Sequence, residues 1–214
     1  ADLVAAAVAF ARRVADVRPL PRVRDLPCKH PMGDAYFQFA RNMVKGMAKN
    51  FPAPVKCVTG ALLVPSCGVL WGAAAGGFTD APRDVALQDW ETLTGRTATL
   101  FHAYHQGDEK FPTKAEIALA RDEQHPRILL LNWRVEYGTT WAAVAAGKQD
   151  KRIDAFAQRI KSTFPEKFFL VLNHEPEDDV RPHAGSGMTA KDFRASYRHV
   201  IQRLRAQGVS NMVS

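Results

Sequence analysis

The stretch Phe168-Phe169-Leu170-Val171-Leu172-Asn173-His174-Glu175-Pro176 runs five apolar residues directly into Asn, His and Glu and stops at a proline. A continuous apolar run of this length reads as a strand covered on both faces, as in a parallel sheet. Pro176 ends the strand because it lacks the N–H that a ladder needs. Ile128-Leu129-Leu130-Leu131 is a second such run, ending in Asn132, Trp133 and Arg134. Around these two, short β-prone segments alternate with helical ones: 69–71 before 85–93, 98–102 before 115–122, 128–133 before 153–163, 168–173 before 193–207, and a fifth strand from about Asn211. Ile153, Phe156, Ala157 and Ile160 share one helix face, as do Phe193, Tyr197, Val200, Ile201 and Leu204. Alternating βα units predict an α/β fold with parallel strands and right-handed crossovers. Four units and the first residues of a fifth amount to half of a (βα)8 barrel, which takes about 250 residues. The expected fold is therefore a partial (βα)8 TIM barrel of four βα units, preceded by a short helical segment.

Composition separates that helical segment from the rest. The 214 residues are 46% hydrophobic and 24% charged, values of an ordinary globular chain that exclude a largely disordered or collagen-like one. The net charge of +7 is concentrated early. Residues 1–60 hold ten Lys and Arg against four Asp, whereas 61–214 hold 19 basic and 18 acidic groups, and the first glutamate is Glu91. Leu3, Ala7, Phe10, Val14 and Val17 mark one amphipathic helix, and Tyr36, Phe39, Met43 and Met47 a second. The chain reads as a basic helical piece, 1–60, and a βα piece, 61–214, with a seam near 57–65.

The run from Val58 to Phe78 carries no formal charge and is long enough to span a membrane, but Pro65, Gly68, Gly72, Gly76 and Gly77 interrupt it. It reads as a buried strand with flanking loops, and no membrane association is expected. Cys28, Cys57 and Cys67 are too few for a disulfide framework and lack the spacing of a zinc site. One disulfide with a spare thiol and three free thiols remain equal alternatives.

Reactive groups in parallel βα folds gather where strands end. Those positions hold Trp71, His102, Trp133 and Arg134, and then Asn173, His174 and Glu175, with Glu177, Asp178 and Asp179 extending an acidic patch. A glutamate at a strand mouth serves as a general acid when burial or a neighbouring carboxylate raises its pKa. Trp71, Trp133 and Trp141 are the aromatic residues suited to stacking on sugar rings. His102, His105 and Asp108 lie on a strand end and loop rather than one helix face, which argues against a metal site. Ala73-Ala74-Ala75-Gly76-Gly77 lacks the pattern of a phosphate-binding loop, and no GxSxG nucleophile elbow is present. No cofactor or metal is expected.

Gly68-Val69-Leu70-Trp71-Gly72-Ala73, Leu131-Asn132-Trp133 and His174-Glu175, in that order and spacing, make residues 66–214 resemble the N-terminal half of a glycoside hydrolase family 26 catalytic domain. That family contains β-mannanases and lichenase-type endoglucanases. The resemblance implies a retaining mechanism with Glu175 as acid/base, a substrate-binding site of His174, Trp133, Asn173, His102 and Trp71, a β-linked mannan or glucan as substrate, and an extracellular location. Family mannanases follow the His-Glu pair with a Trp-rich loop, whereas here Pro176, Glu177, Asp178 and Asp179 follow. The family's nucleophile lies on a later strand than any in this sequence. The chain is expected to bind sugar without completing the reaction alone, because retention needs two carboxylates about 5–5.5 Å apart.

The first piece resembles something else. Residues about 5–58, particularly Val17-Arg18-Pro19-Leu20-Pro21-Arg22-Val23-Arg24-Asp25-Leu26 and Tyr36–Lys56 with Asn50-Phe51-Pro52-Ala53-Pro54, are similar to the segment after the enoyl-CoA hydratase core of multifunctional fatty-acid-oxidation proteins, without the hydratase glutamates. The rival expectations are a non-catalytic carbohydrate-binding or structural fragment, self-associating through open sheet edges, and an acyl-CoA protein segment. Nucleic-acid binding would rest on the first 60 residues alone and is not expected.

Overall fold

The structure, a computed structural model, describes residues 57, 58, 60–76 and 79–214. The two helices expected before residue 57, and Cys28, lie outside the described residues. Residues 72–214 form an α/β unit in which five strands alternate with helices: β1 (Gly72–Ala73), α1 (Arg83–Thr94), β2 (Leu100–Gln106), α2 (Lys114–Ala120), β3 (Ile128–Arg134), α3 (Trp141–Ala145), α4 (Asp150–Thr163), β4 (Phe168–Leu172), α5 (Pro176–Asp179), α6 (Ala190–Ala206) and β5 (Met212–Val213). All four strand pairings are parallel and the order in the sheet is the order in the chain.

Side-chain alternation shows where the helices pack. Phe101 and Ala103 of β2, Leu129, Leu131 and Trp133 of β3, and Phe168, Leu170 and Leu172 of β4 form one buried cluster. The same cluster takes Leu87 from α1, Leu119 from α2, Ile153, Phe156, Ala157 and Ile160 from α4, and Val200, Ile201 and Leu204 from α6. Every second strand residue therefore faces the helices, all from one side, as right-handed crossovers in sequential order require. The intervening residues form the opposite face, where Tyr104 and Val171 are exposed.

Local chemistry explains the helix starts. Thr113 and Glu116 form a reciprocal capping box on α2, and Thr189 and Asp192 form another on α6. Each satisfies helix N–H groups that have no partner within the helix, a contribution of about 1 kcal/mol. The loop through Gly185, Ser186 and Gly187 does lead into a capped helix, as the sequence suggests.

Two expectations need correction, and one left open is decided. The strand expected at 69–71 begins only at Gly72, and Leu62, Val64 and Val69 are exposed, so most of the uncharged 58–78 run is surface loop. Pairing starts where the carbonyl of Trp71 accepts the N–H groups of Thr99 and Leu100. A side chain at Gly72 would collide with Leu100, so only glycine allows β1 to lie this close. Strand β2 continues four residues past His102, through Gln106, because Ala103 and His105 keep facing the helices while Tyr104 and Gln106 face away. Finally, Cys57 and Cys67 are joined in a disulfide, which settles the alternatives left open for these two cysteines. The outer strands β1 and β5 are each two residues long and pair only with Leu100 and Phe101 of β2 and with Phe168 and Phe169 of β4. No described helix is long and apolar enough to cross a membrane.

Candidate active site

Three strand ends build the site. Register places Tyr104, Asn132 and Val171 side by side on the face away from the helices, with His102, Leu130 and Phe169 one row below and Gln106 beside Arg134 above. A cleft of about 300 Å³ opens here, lined by Tyr104, His105, Gln106, Glu109, Asn132, Arg134 and His174.

Beyond β4 the backbone turns sharply. Asn173 and Glu175 both have left-handed conformations, at φ 67° and 46°. Two such residues within three positions cost energy unless their surroundings impose them, and conformations of this kind cluster at functional sites. Asn173 is almost fully buried and held at both ends of its side chain. Its Nδ2 donates to Asp179 Oδ2 at 3.1 Å, and its Oδ1 accepts from Trp141 Nε1 at 3.5 Å. Pro176 opens α5 immediately afterwards, and the Asp178 N–H donates to the Glu175 carbonyl. The turn thereby presents His174 and Glu175 to solvent, with 3.2 Å between His174 Nε2 and Glu175 Oε2.

Aromatic rings connect this turn to β2. His174 meets the Tyr104 ring edge-on at 5.1 Å, and Tyr104 lies 4.4 Å from His102. His102 Nε2 is buried and has no hydrogen-bond partner among the described residues. Burial, and secondarily the nearby His174, depress the pKa of His102.

A polar chain supports the turn from β3. Arg134 Nε donates to Glu136 Oε1 at 2.9 Å and Arg134 Nη2 to Asp179 Oδ1 at 3.0 Å. Glu136 is buried, and its Oε2 has no partner among the described residues. Desolvation raises its pKa, and the hydrogen bond from its own backbone N–H and the Arg134 guanidinium only partly offset this. Sequence reasoning missed Glu136. The available signal was its place two residues after Arg134, in the turn that follows the polar end of β3.

His174 and Tyr104 line the cleft, His102 sits below it, and Asn173 braces the turn that carries Glu175. The three tryptophans are placed differently. Trp133 belongs to the helix-facing set: its ring is buried against Phe111 and Phe156, and its Nε1 donates to the Gly107 carbonyl. Trp141 is buried beside Phe193. Neither ring has an exposed face for a sugar. Trp71 stacks on Trp90 at 5.5 Å under the Arg96 guanidinium, and its pairing with Thr99 and Leu100 puts it at the amino end of the sheet. The site lies at the opposite end.

His102 and His105 point to opposite faces of β2, and Asp108 is paired with Arg152, so these three do not converge. Instead, His105 stacks on Phe111 and has Glu109 at 3.2 Å from Nδ1. Its Nε2 is equally close to Glu116, but off the hydrogen-bonding direction. Among the described residues, no three His, Cys, Asp or Glu side chains are grouped to hold a metal ion. No protein-family model matches the chain, and no curated protein matches it.

Proposed function

We propose that this chain is a glycoside-hydrolase-like module, a partial (βα)8 barrel that binds or cleaves a β-linked polysaccharide of the mannan or β-glucan type by retaining chemistry. The observation that carries this reading is the position of Glu175. It follows β4 directly, at the carboxyl end of a parallel sheet, on a left-handed turn braced by Asn173 and Asp179 and beside the Tyr104–His174 cleft. In βα barrels that end is where chemistry is done.

In this reading Glu175 donates its proton to the glycosidic oxygen as the bond to the anomeric carbon breaks. A second carboxylate takes that carbon to form a glycosyl-enzyme, and Glu175 then removes a proton from the water that releases the sugar. His174 and Tyr104 orient the ring. Among the described carboxylates near the cleft, Asp179 is engaged by Arg134 and Asn173, Glu136 is buried, and Glu109 lines the cleft with Oε2 3.2 Å from His105 Nδ1. Asp179 and Glu136 are not free to act as nucleophile.

A non-catalytic carbohydrate-binding role is the second reading, favoured by the exposed Tyr104 beside the cleft. Reducing-end release from β-mannan and mixed-linkage β-glucan, measured for the chain and for Glu175→Gln, separates the two. Turnover that disappears in Glu175→Gln supports the acid/base role. Oligosaccharide binding without turnover, equal in both proteins, supports the binding role. Neither binding nor turnover rejects both.

A further inference from the structure

A larger cleft, of about 520 Å³, flanks the first one on the far side of the β2–α2 loop. Its walls are that loop, through Gly107–Phe111, the face of α4 as far as Arg159 with the two residues before the helix, and Trp133 at its floor. Glu109 lines both clefts, so the two are neighbours separated by one side chain. The larger one is dominated by cations: Lys110, Lys148, Lys151, Arg152 and Arg159 against Asp108 and Glu109.

The ion pairs within it do not cancel this excess. Arg152 forks onto Asp108 through Nε and Nη2, at 2.9 and 3.0 Å, and this pairing holds the Asp108 carboxyl below its ordinary pKa. Asp108 is thereby occupied. Arg159 is turned onto the Pro112 carbonyl, which orients the guanidinium without neutralising it. Glu109 faces His105. Among the described residues, Lys110, Lys148 and Lys151 have no ion-pair partner, and all three are exposed at the rim. Four cations are left facing one carboxylate in a concave space, an arrangement that concentrates an anionic ligand.

We propose that the sugar chain recognised at the Tyr104–His174 cleft carries carboxylates, and that the Lys110–Lys148–Lys151 cleft binds a uronate unit of it. This rests on the polysaccharide reading above and narrows its substrate to a β-linked chain of the same backbone type in which some units are uronates. Lysine ammonium groups on flexible stems suit the dispersed carboxylates of a polyuronide, since each acts as a point charge. A neutral mannan or glucan would gain nothing from them.

The test compares a β-linked oligouronide with its carboxyl-reduced, neutral counterpart by calorimetric titration of the full chain, with inorganic phosphate as a third ligand. The oligouronide is expected to bind at least about tenfold more tightly at low salt, and the preference should shrink as salt is added. The Lys148→Glu/Lys151→Glu variant should lose that preference while keeping its affinity for the neutral sugar. Both positions are exposed, so the variant is expected to fold, which an unchanged melting transition verifies. Equal affinity for the two sugars, or a preference untouched by the double substitution, overturns the inference and leaves the polysaccharide reading standing. Phosphate binding with no oligouronide binding overturns it too. If neither sugar binds, both the inference and the reading beneath it fail.

Discussion

Asp179 accepts a hydrogen bond from the Asn173 side-chain amide at 3.1 Å, across the turn that carries Glu175. Its other oxygen accepts from Arg134, so one carboxylate ties β3 to the two left-handed residues after β4. Asp179→Ala leaves the buried Asn173 amide with an unpaired donor, at an expected cost of about 1–3 kcal/mol. Asp179→Asn should cost less, because an acceptor remains for Asn173. Urea titration measures the loss. Faster amide exchange at Asp178, whose N–H closes the same turn, would show that the loosening is local. A neutral Asp179→Ala would mean that the turn holds itself.

His102 titrates below the ordinary histidine range, because burial and then His174 disfavour its charged form. Below about pH 6.5 the unfolded chain takes up a proton that the folded one refuses, so the His102 contribution to stability falls as pH drops. The loss stops once the folded pKa is passed. An NMR titration of the His102 ring should inflect below pH 6.5. In His174→Gln it should move upward only part of the way, since burial is the larger cause. An inflection at or above the free-histidine value would contradict the buried placement of Nε2.

How much of this could be read from the chain depends on what each segment's fate rested upon. Strands β3 and β4 are legible to within a residue, because Ile128–Leu131 and Phe168–Leu172 are apolar on both alternating sets. Strand β2 is read short: Tyr104 and Gln106 face an open surface, so apolarity stops before pairing does. Strand β1 has two residues and depends on the close approach of Gly72 to Leu100, a property of the partner strand rather than of its own sequence. The Asn173-His174-Glu175 turn is legible from the abrupt polar end of an apolar run. Its brace is not, because Arg134 and Asp179 are 45 positions apart and meet only through the β3–β4 pairing. The tryptophans mislead for a related reason: a residue at a strand end can face either side, and alternation with Leu129 and Leu131 turns Trp133 toward the helices.

Glu136 is a buried carboxyl with one unpaired oxygen, and desolvation raises its pKa. Between the unfolded carboxyl value, about 4.3, and the raised folded one, the native state holds the proton more tightly than the unfolded chain. The Glu136 contribution to stability therefore falls as pH rises through that window and stays lost above it. Glu136→Gln removes the ionisation and keeps an oxygen for Arg134. The variant is expected to be the more stable protein at pH 7, with the difference vanishing near pH 4. Denaturation midpoints of both proteins across this range check the sign. A variant less stable at pH 7 than at pH 4, relative to the parent, would show that Arg134 outweighs desolvation.

The most consequential ion pair for the fold lies away from the site. Glu91, near the end of α1, accepts from Arg127 Nε at 3.0 Å and Nη2 at 2.7 Å, and its Oε1 also accepts the Ala98 N–H at 2.8 Å. Arg127 is buried and donates Nη1 to the His125 carbonyl. This pair joins α1 to the starts of both β2 and β3. Glu91→Ala strands a buried guanidinium and a backbone donor together, and the expected loss is about 3–5 kcal/mol. The penalty should be nearly the same in low and high salt, since a buried pair is poorly screened. Glu91→Leu combined with Arg127→Met replaces both charges with apolar groups of similar size and should lose much less than Glu91→Ala alone. Urea midpoints at constant m-value read all three proteins. A Glu91→Ala loss below about 1 kcal/mol, the range of exposed pairs, would mean that water reaches Arg127 and that the pair does not secure the start of the sheet.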